Sequence, residues 1–450
     1  TKMNTQENVS STWTGELQES SKIPSKADVV IIGGGIVGIS AAYYLAKEGI
    51  DVCLCEKGYI SGEQSSRNWG WVRVQGRDER EIPMMLKSLD IWRNLSVELG
   101  EDIGYREDGC LYTAYTNKEL NDYQSWIDLA KAYNIETAFI EGEELKKEAG
   151  AASSNWVGGI ITRTDGRAEP QKTSLAISRG AERYGATILT SCAVRGLETS
   201  SGKVSAVVTE HGTITTSTVL CAAGAWSSLF CGSIGVNVPQ LRVRGTVART
   251  NAIDTPIKGN IWDKNIGIRK RNDGGYTIAH GSVLDHSITP NTFKYAPKYL
   301  RALWKEFNAL RLSVGKDFFD ELKMPKQWKL DEQSPFERTR VLNPLPNKSV
   351  IHEIESNLGV IFPELKNAKI IESWAGMVET TPDVVPIISE ISNIPGFYIG
   401  TGFSGHGFGI GPGAGEAIAR MIQNKDNIDL APFKLERFFD GTPIRPNSTI

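Results

Sequence analysis

The sequence has few of the features that mark membrane-spanning, metal-binding or nucleic-acid-binding proteins. No apolar run reaches the roughly 20 residues that cross a bilayer, so we expect no transmembrane segment. The 50 basic and 53 acidic residues are interspersed and the net charge is −3, which argues against a nucleic-acid partner. The six cysteines are scattered, and no pair has metal-ligand spacing. We therefore expect a reduced, cytoplasmic protein without a metal site.

The length and the N-terminal composition limit how the chain is organised. With 450 residues, 40% of them hydrophobic, the chain can form two domains around a large core. Residues 1–26 are polar and have no apolar segment of the kind found in signal peptides. We expect these residues to form an N-terminal extension, either a surface arm or a disordered tail.

The most informative motif lies just after this extension. The apolar run Val29–Ile32 is typical of a buried parallel strand, and it leads directly into the spaced glycines Gly33, Gly35 and Gly38. A helical segment and a second strand follow, and the second strand ends at Glu56, eighteen residues after Gly38. This is the complete dinucleotide fingerprint. The glycines allow a close approach to a pyrophosphate, the helix N-terminus favours its charge, and Glu56 accepts hydrogen bonds from ribose.

Two later segments repeat the pattern of a strand that runs into a turn of small residues. Residues 218–221 lead into 222–227, and residues 397–400 lead into the glycine-rich segment 401–412 and a helix over 412–423. A nicotinamide dinucleotide needs one phosphate turn, whereas the flavin dinucleotide needs a second loop where its ring system rests. The second glycine-rich loop therefore favours FAD over NAD.

The fold class predicted from these patterns is α/β. We expect an FAD-binding Rossmann-like domain with an inserted α+β substrate-binding domain, because the strand–loop–helix pattern returns twice after segments of another style. The predicted cofactor domain is built from 27–95, 160–235 and 365–435. The predicted substrate domain is built from 96–159 and 236–364, and 436–450 forms a C-terminal tail.

One predicted helix of the second insertion carries an unusually apolar stripe. The helix is expected over 297–311, and its stripe consists of Leu300, Leu303, Trp304, Phe307 and Leu310. We expect this face to pack on the sheet of its own domain. The alternative is contact with a membrane or with a partner protein.

At this point the sequence resembles a known superfamily, the FAD-dependent D-amino-acid dehydrogenases and glycine oxidases. The resemblance spans about residues 27–435 and is carried by 29–38 with Glu56, by 222–226, by Thr381-Pro382-Asp383 and by 402–407. Within it, the chain is most similar to the bacterial L-amino acid deaminases. The similar pieces are 62–65, 192–199, 323–325, Trp328, 330–332 and 335–337.

The resemblance implies a fold of the glutathione-reductase type and an FAD-dependent oxidation of an α-amino acid. In such a reaction, flavin N5 takes a hydride from the carbon that bears nitrogen, and the imine hydrolyses to a keto acid and ammonia. The flavin is expected to be non-covalent, because relatives that attach it through a cysteine carry that cysteine just before the Thr381-Pro382-Asp383 segment, where this chain has none. The electron acceptor is oxygen or a quinone.

The fingerprint and the resemblance together predict the residues that bind FAD. They are Gly33, Gly35, Ile36, Val37, Gly38, Glu56, Lys57, Gln64, Ser65, Ser66, Arg67, Trp69, Gly70, Val194, Ala223, Gly224, Trp226, Gly376, Gly402, Gly405, His406 and Gly407.

The resemblance also predicts the residues on the substrate side. Arg269 occupies the position of the carboxylate-binding arginine of the deaminases, and Trp374 and Met377 match positions at the flavin's substrate face, or are core residues. Trp71 and Arg73 belong to a segment that departs from the deaminase pattern. With Trp69 they share one face of an extended chain, and form either a pocket wall or a contact between domains. For His406 a backbone contact with the cofactor is favoured over a catalytic role.

Two further functions stay open at this stage. The first is a flavin oxidase or dehydrogenase of secondary or N-methyl amines, which the Trp69 and Trp71 pair would suit. The second is a flavin-bound sensor or subunit without turnover.

Overall fold

The computed structural model describes residues 22–446, so most of the predicted N-terminal extension and the last four residues of the predicted tail lie outside the described residues. The strands are β1 (Val29–Ile32), β2 (Val52–Cys55), β3 (Trp71–Val72), β4 (Cys110–Ala114), β5 (Thr137–Ile140), β6 (Gly158–Thr162), β7 (Gly166–Arg167), β8 (Thr187–Leu189), β9 (Val194–Ser200), β10 (Lys203–Thr209), β11 (Gly212–Thr215), β12 (Val219–Cys221), β13 (Leu241–Thr250), β14 (Asn260–Trp262), β15 (Gly267–Lys270), β16 (Tyr276–Ala279), β17 (Leu284–Ser287), β18 (Leu310–Ser313), β19 (Ile370–Thr380), β20 (Ile387–Glu390) and β21 (Phe397–Thr401). The helices are α1 (Ile36–Lys47), α2 (Gln64–Arg67), α3 (Ile82–Leu99), α4 (Asn117–Asp122), α5 (Gln124–Ala132), α6 (Gly142–Ala149), α7 (Pro170–Arg183), α8 (Ser227–Ser233), α9 (Pro290–Lys305), α10 (Lys316–Lys323), α11 (Pro335–Arg338), α12 (Lys348–Ile361) and α13 (Gly407–Ile422).

A six-stranded sheet carries the dinucleotide fingerprint. Its order is β20-β21-β12-β1-β2-β8, and all neighbours are parallel except β20, which runs antiparallel to β21. Strand β1 is formed by four buried β-branched residues, as expected for a strand covered on both faces. The sheet confirms the predicted α/β class. A smaller antiparallel sheet, β11-β10-β9, adjoins it.

Helices α1 and α13 pack closely on each other because glycines lie between them. A Cβ at Gly415 would lie 2.4 Å from Cβ of Ser40, and one at Gly411 would lie 2.7 Å from Cγ2 of Ile36. Helix α13 begins at Gly407, five residues before the predicted start at Pro412. The second glycine-rich segment is therefore partly the first turn of a helix rather than entirely a loop.

The second large unit is a ten-stranded sheet of order β18-β17-β13-β16-β15-β14-β4-β6-β5, with β19 paired to β13. Strand β19 lies in this sheet, whereas the predicted boundary at 365 assigns it to the cofactor domain. The reason is its antiparallel register with β13, which extends from Leu241 opposite Thr380 to Thr250 opposite Ile370. The strand thus passes from the second sheet towards the first, and its C-terminal end lies beside the cavity described below.

The apolar stripe of the inserted helix does not pack as predicted. Leu300, Trp304 and Phe307 are 62%, 87% and 74% exposed. Helix α9 begins at Pro290 rather than at 297, so Tyr295 and Tyr299 form its buried face, and the backbone N–H of Leu241 donates to the Tyr299 hydroxyl. The expectation that this stripe covers its own sheet is therefore wrong for Leu300, Trp304 and Phe307, whereas Leu303 is partly buried and packs against the cluster that contains Leu241 of β13. None of the helices within residues 22–446 has the length and apolar character needed to cross a membrane.

Candidate cofactor and substrate site

A single cavity extends from the fingerprint loop after β1 to the ten-stranded sheet. It brings together most of the residues predicted to hold the cofactor: Gly33, Gly35, Ile36, Val37, Glu56, Lys57, Gln64, Ser65, Arg67, Trp69, Gly70, Val194, Ala223, Gly224, Trp226, Gly376, Gly405, His406 and Gly407. These residues come from both sheets and from three separated parts of the chain. Their contact with FAD stays a prediction, and their shared cavity is consistent with it.

The turn after β1 is possible only with glycine. Gly33 has φ of +110°, and a Cβ on it would lie 2.3 Å from the carbonyl oxygen of Ala222. A Cβ on Gly38 would lie 2.1 Å from the carbonyl oxygen of Gly33. At both positions the turn therefore packs directly on neighbouring backbone, as the tight turn of a dinucleotide-binding unit requires.

Replacing Gly38 by alanine is expected to open this turn. The new methyl group collides with backbone, which cannot move as a flexible side chain would, so we expect a loss of about 1–3 kcal/mol in the free energy of unfolding and a clear loss of bound flavin. The flavin content of the purified variant and its urea midpoint measure the two effects. Gly232→Ala is the control, because nothing lies within 4 Å of the added Cβ. Full flavin occupancy in Gly38→Ala would contradict the expected geometry.

Glu56 and Ser65 hold the loop in place. The Glu56 carboxylate accepts the backbone N–H of Gly34 at 2.8 Å and that of Gly58 at 2.7 Å. Burial raises the pKa of Glu56, and the nearby Lys57 and these N–H groups oppose that rise. The Ser65 hydroxyl accepts the N–H of Ile36, the first residue of α1, at 2.8 Å. An acid at the end of β2 and a helix N-terminus thus face one cavity, which is the donor and acceptor set that FAD fits.

A second acid lies at the other end of the predicted flavin site. Glu379 lines the cavity and is buried, and the side-chain amide of Gln64 donates to it. Burial raises the pKa of Glu379, whereas Gln64 and the backbone N–H groups of Gly402 and Phe403 lower it. The loop before α13 is therefore tied to β19 through this carboxylate. The sequence analysis missed Glu379, although it lies two residues before the Thr381-Pro382-Asp383 motif.

Three of the predicted cofactor residues do not line the cavity. Gly38 packs on Gly33 as described, and the Ser66 hydroxyl donates to the carbonyl oxygen of Glu63 at 3.2 Å. Gly402 has φ of +76°, and its Cβ would lie 2.4 Å from Cγ2 of Thr381. These residues shape the turns that border the cavity.

The placement of Arg269 does not fit the predicted carboxylate anchor. Arg269 is 1% exposed, does not line the cavity, and forms an ion pair with Glu169 at 3.0 Å. Its other donors bind the carbonyl oxygen of Trp69 and the Thr277 hydroxyl. Burial lowers the pKa of Arg269 to about 10, and Glu169 opposes that fall. Three of its five N–H groups, one on each nitrogen, already have acceptors, and the side chain does not line the cavity in which a substrate carboxylate would bind.

Trp374 and Met377 also lie away from the cavity lining. The Trp374 indole N–H donates to the carbonyl oxygen of Arg67 at 3.0 Å, and the ring packs against Trp69 and Val247. Met377 lies opposite Arg244 in the pairing of β19 with β13. The geometry therefore favours a core role for Trp374, whereas Met377 is only partly buried and its role stays a prediction.

Residues 69–73, which follow α2 and differ from the deaminase pattern, form an aromatic wall of the cavity. Trp69, Trp71 and Arg73 all line it, and the ring centroids of the two tryptophans are 5.3 Å apart in an edge-to-face arrangement. Tyr112 and Trp262 line the same cavity, with centroids 5.6 Å apart. The last two come from β4 and β14 and were missed, because no local pattern relates them to residues 69–73.

His406 lines the cavity and contacts another element through its side chain. Its Nε2 lies 3.0 Å from Oε1 of the buried Glu81. Burial lowers the pKa of His406, and Glu81 opposes that fall. The carbonyl oxygen of His406 accepts a hydrogen bond from Arg77 at 3.0 Å. The imidazole therefore has a structural partner, while its catalytic role stays a prediction.

The comparisons with known proteins agree with this geometry. The family described as DAO, FAD dependent oxidoreductase, matches residues 28–421. The chain therefore belongs to this family, and it is an FAD-dependent oxidoreductase. This confirms FAD as the cofactor that the two glycine-rich turns predicted.

Several relatives are similar over almost the whole chain. The L-amino acid deaminase structure from Proteus myxofaciens, in complex with anthranilate, is 35% identical, with a TM-score of 0.90 over 94% of this chain and 96% of that one. The deaminase of Proteus vulgaris is 32% identical, with a TM-score of 0.89 over 94% and 100%. Mouse mitochondrial sarcosine dehydrogenase is 26% identical over 93% of this chain, which spans 42% of that protein. The sarcosine oxidase subunit beta of an Arthrobacter species is also 26% identical, over 93% of both chains.

Proposed function

We propose that this protein oxidises an α-amino acid to the corresponding keto acid and ammonia. The observation that carries the proposal is one continuous cavity, which joins the fingerprint loop and Glu56 at one end to an aromatic wall with Arg73 at the other. The first end suits a dinucleotide and the second suits a small organic acid that bears an apolar group. The similarity to the two Proteus deaminases supports the same substrate class.

The chemistry needs little acid–base assistance from the chain. FAD, when bound, accepts a hydride from the carbon that bears the amino group. The substrate loses that hydride together with a proton from nitrogen, and water then adds to the resulting imine and releases ammonia. The chain's part is to bind and orient the substrate and to keep the surroundings apolar, which the rings of Trp69, Trp71, Tyr112 and Trp262 provide.

Oxidation of N-methyl amino acids is the second candidate function. It is favoured by the tryptophan pair in the cavity wall and by the similarity to sarcosine dehydrogenase and to the sarcosine oxidase subunit beta. Both candidates share the bond that is broken, between hydrogen and the carbon next to nitrogen. They differ in the products: an α-amino acid releases ammonia, whereas an N-methyl amino acid gives methylamine if Cα is oxidised, or formaldehyde and the demethylated amino acid if the methyl carbon is oxidised.

Anaerobic reduction of the purified yellow protein tests the proposal. We expect an L-amino acid with a large apolar side chain to bleach the flavin absorbance, and ammonia to form in the amount of flavin reduced. D-amino acids, sarcosine and N-methylated amino acids are added separately as comparisons. Bleaching by N-methylated compounds alone would replace the first candidate by the second, and bleaching by none would refute both. The rate at which air restores the colour then separates an oxidase from a dehydrogenase.

A further inference from the structure

The cationic side chains that line the cavity differ in whether their N–H groups already have acceptors. Most of them are paired with carboxylates or saturated by carbonyl oxygens. The contacts are Lys57 with Glu63 at 3.0 Å, Arg244 with Asp285 at 2.7 Å, Arg340 with Glu210 at 2.6 Å, and Arg67 with the oxygens of Gly62, Ala375 and Asn343. These groups hold the cavity wall together and have little left for a ligand.

Arg73 has the most N–H groups without an acceptor. Its guanidinium donates to the carbonyl oxygen of Gln75 and lies 5.6 Å from the ring centroid of Tyr112. Within residues 22–446, no carboxylate lies within 4.0 Å of its side-chain nitrogens. A guanidinium has five N–H donors, so most of those on Arg73 are free to bind a ligand in the cavity.

Two further N–H groups beside Arg73 have no acceptor. The indole N–H of Trp71 is buried and makes no hydrogen bond, and the same holds for Nη1 of Arg77, whose nearest carboxylate is Glu81 at 3.8 Å. Both residues line the cavity. A buried donor without an acceptor destabilises the structure, and a bound anion would supply the missing acceptor.

We propose that Arg73, with the indole N–H of Trp71, binds the carboxylate of the substrate in place of Arg269. This inference rests on the proposed function, because it takes the substrate to be an amino acid. Trp71 and Arg73 are two residues apart on extended chain, so their side chains can point to the same side. A planar guanidinium matches a carboxylate with two parallel hydrogen bonds.

The surroundings of Arg73 strengthen this interaction. The rings of Trp69, Trp71, Tyr112 and Trp262 make the lining of this part of the cavity largely aromatic, and attraction between opposite charges is larger where the dielectric constant is low. Backbone holds the arginine in place as well, because the N–H groups of Val74 and Gln75 donate to the buried Asp165 at 2.7 and 3.1 Å. The arginine therefore lies on a fixed segment, as a binding residue should.

Benzoate is the probe that tests this assignment, because it joins a carboxylate to an aromatic ring and is not oxidised. Its dissociation constant is measured by equilibrium dialysis with the flavin-loaded protein. We expect Arg73→Gln to weaken benzoate binding about 100-fold and Trp71→Phe, which removes one hydrogen bond, about fivefold. Arg269→Lys is the matched control, since it keeps the positive charge beside Glu169, and its affinity should stay within about threefold of wild type.

The opposite pattern would overturn the assignment. If Arg73→Gln bound benzoate within threefold of wild type, Arg73 would not be the anchor. If Arg269→Lys lost as much benzoate affinity as Arg73→Gln, the anchor would be assigned to Arg269 again. Far-ultraviolet circular dichroism and flavin content check folding. If Arg73→Gln does not fold, Arg73→Lys replaces it, with an expected loss of about tenfold and with unchanged binding as the contradicting result.

Turnover gives a second readout. With an amino acid and its methyl ester as paired substrates, Arg73→Gln should raise KM for the acid about 100-fold and change KM for the ester less than threefold. Equal effects on both would contradict a carboxylate contact. Benzoate binding needs no turnover, so a protein that no amino acid bleaches would refute the proposed function while the benzoate result still decides the anchor.

Discussion

Replacing Arg269 by alanine is expected to lower the free energy of unfolding by about 3–5 kcal/mol, because it leaves a buried carboxylate without its partner. Arg269 and Glu169 are 1% and 8% exposed, and their ion pair at 3.0 Å joins β15 to the residue before α7. Glu169 keeps the backbone N–H of Asn272 as a donor but loses the guanidinium that balances its charge. The decrease in the free energy of unfolding should be the same with and without substrate.

Urea unfolding of wild type and Arg269→Ala measures this difference. Arg106→Ala is a matched control, because Arg106 and Asp102 form an exposed pair, also at 3.0 Å, for which about 0–1 kcal/mol is expected. The double variant Arg269→Met with Glu169→Leu should recover most of the stability, because it leaves no unpaired charge. If Arg269→Ala were as stable as wild type and had lost only its affinity for carboxylic acids, Arg269 would be the carboxylate-binding residue that the sequence predicts.

The contribution of Asp165 to the stability of the protein is expected to fall as the pH rises from about 4 to about 7. Burial raises the pKa of Asp165 from 3.8 to about 7, although the N–H groups of Val74 and Gln75 and the charges of Arg73 and Arg77 oppose the rise. Between these two values the folded state binds more protons than the unfolded state. The free energy of unfolding therefore decreases with pH in this window, by up to about 4 kcal/mol from this group.

Asp165→Asn removes the titrating group and keeps the shape. Urea unfolding of both proteins at several pH values between 4 and 8 isolates the contribution of Asp165, since other groups cancel in the difference. As the pH rises from 4 to 7, the free energy of unfolding of the variant should increase relative to that of wild type. Asp90→Asn, at an exposed carboxylate, is the control and should keep the wild-type slope. Parallel curves for wild type and Asp165→Asn would mean that Asp165 does not titrate in this range.

The cofactor end of the site was readable from sequence because its residues are close along the chain. Gly33, Gly35 and Glu56 lie in one strand–turn–helix–strand unit, and the backbone geometry of that unit permits little else at these positions. The substrate end was not readable in the same way. Tyr112, Trp262 and Glu379 come from β4, β14 and β19, and their meeting depends on pairing between strands far apart in sequence.

The sequence by itself determined the α/β class, the dinucleotide turn and FAD, because each follows from local spacing of glycines, apolar runs and one acid. The tertiary structure decided which side chains face the cavity. It buried Arg269 against Glu169 and left Arg73 with free donors, and it exposed Trp304 while burying Tyr299. The guanidinium groups of Arg269 and Arg73 have the same chemistry, so the role of each is set by the acceptors that folding brings close to it.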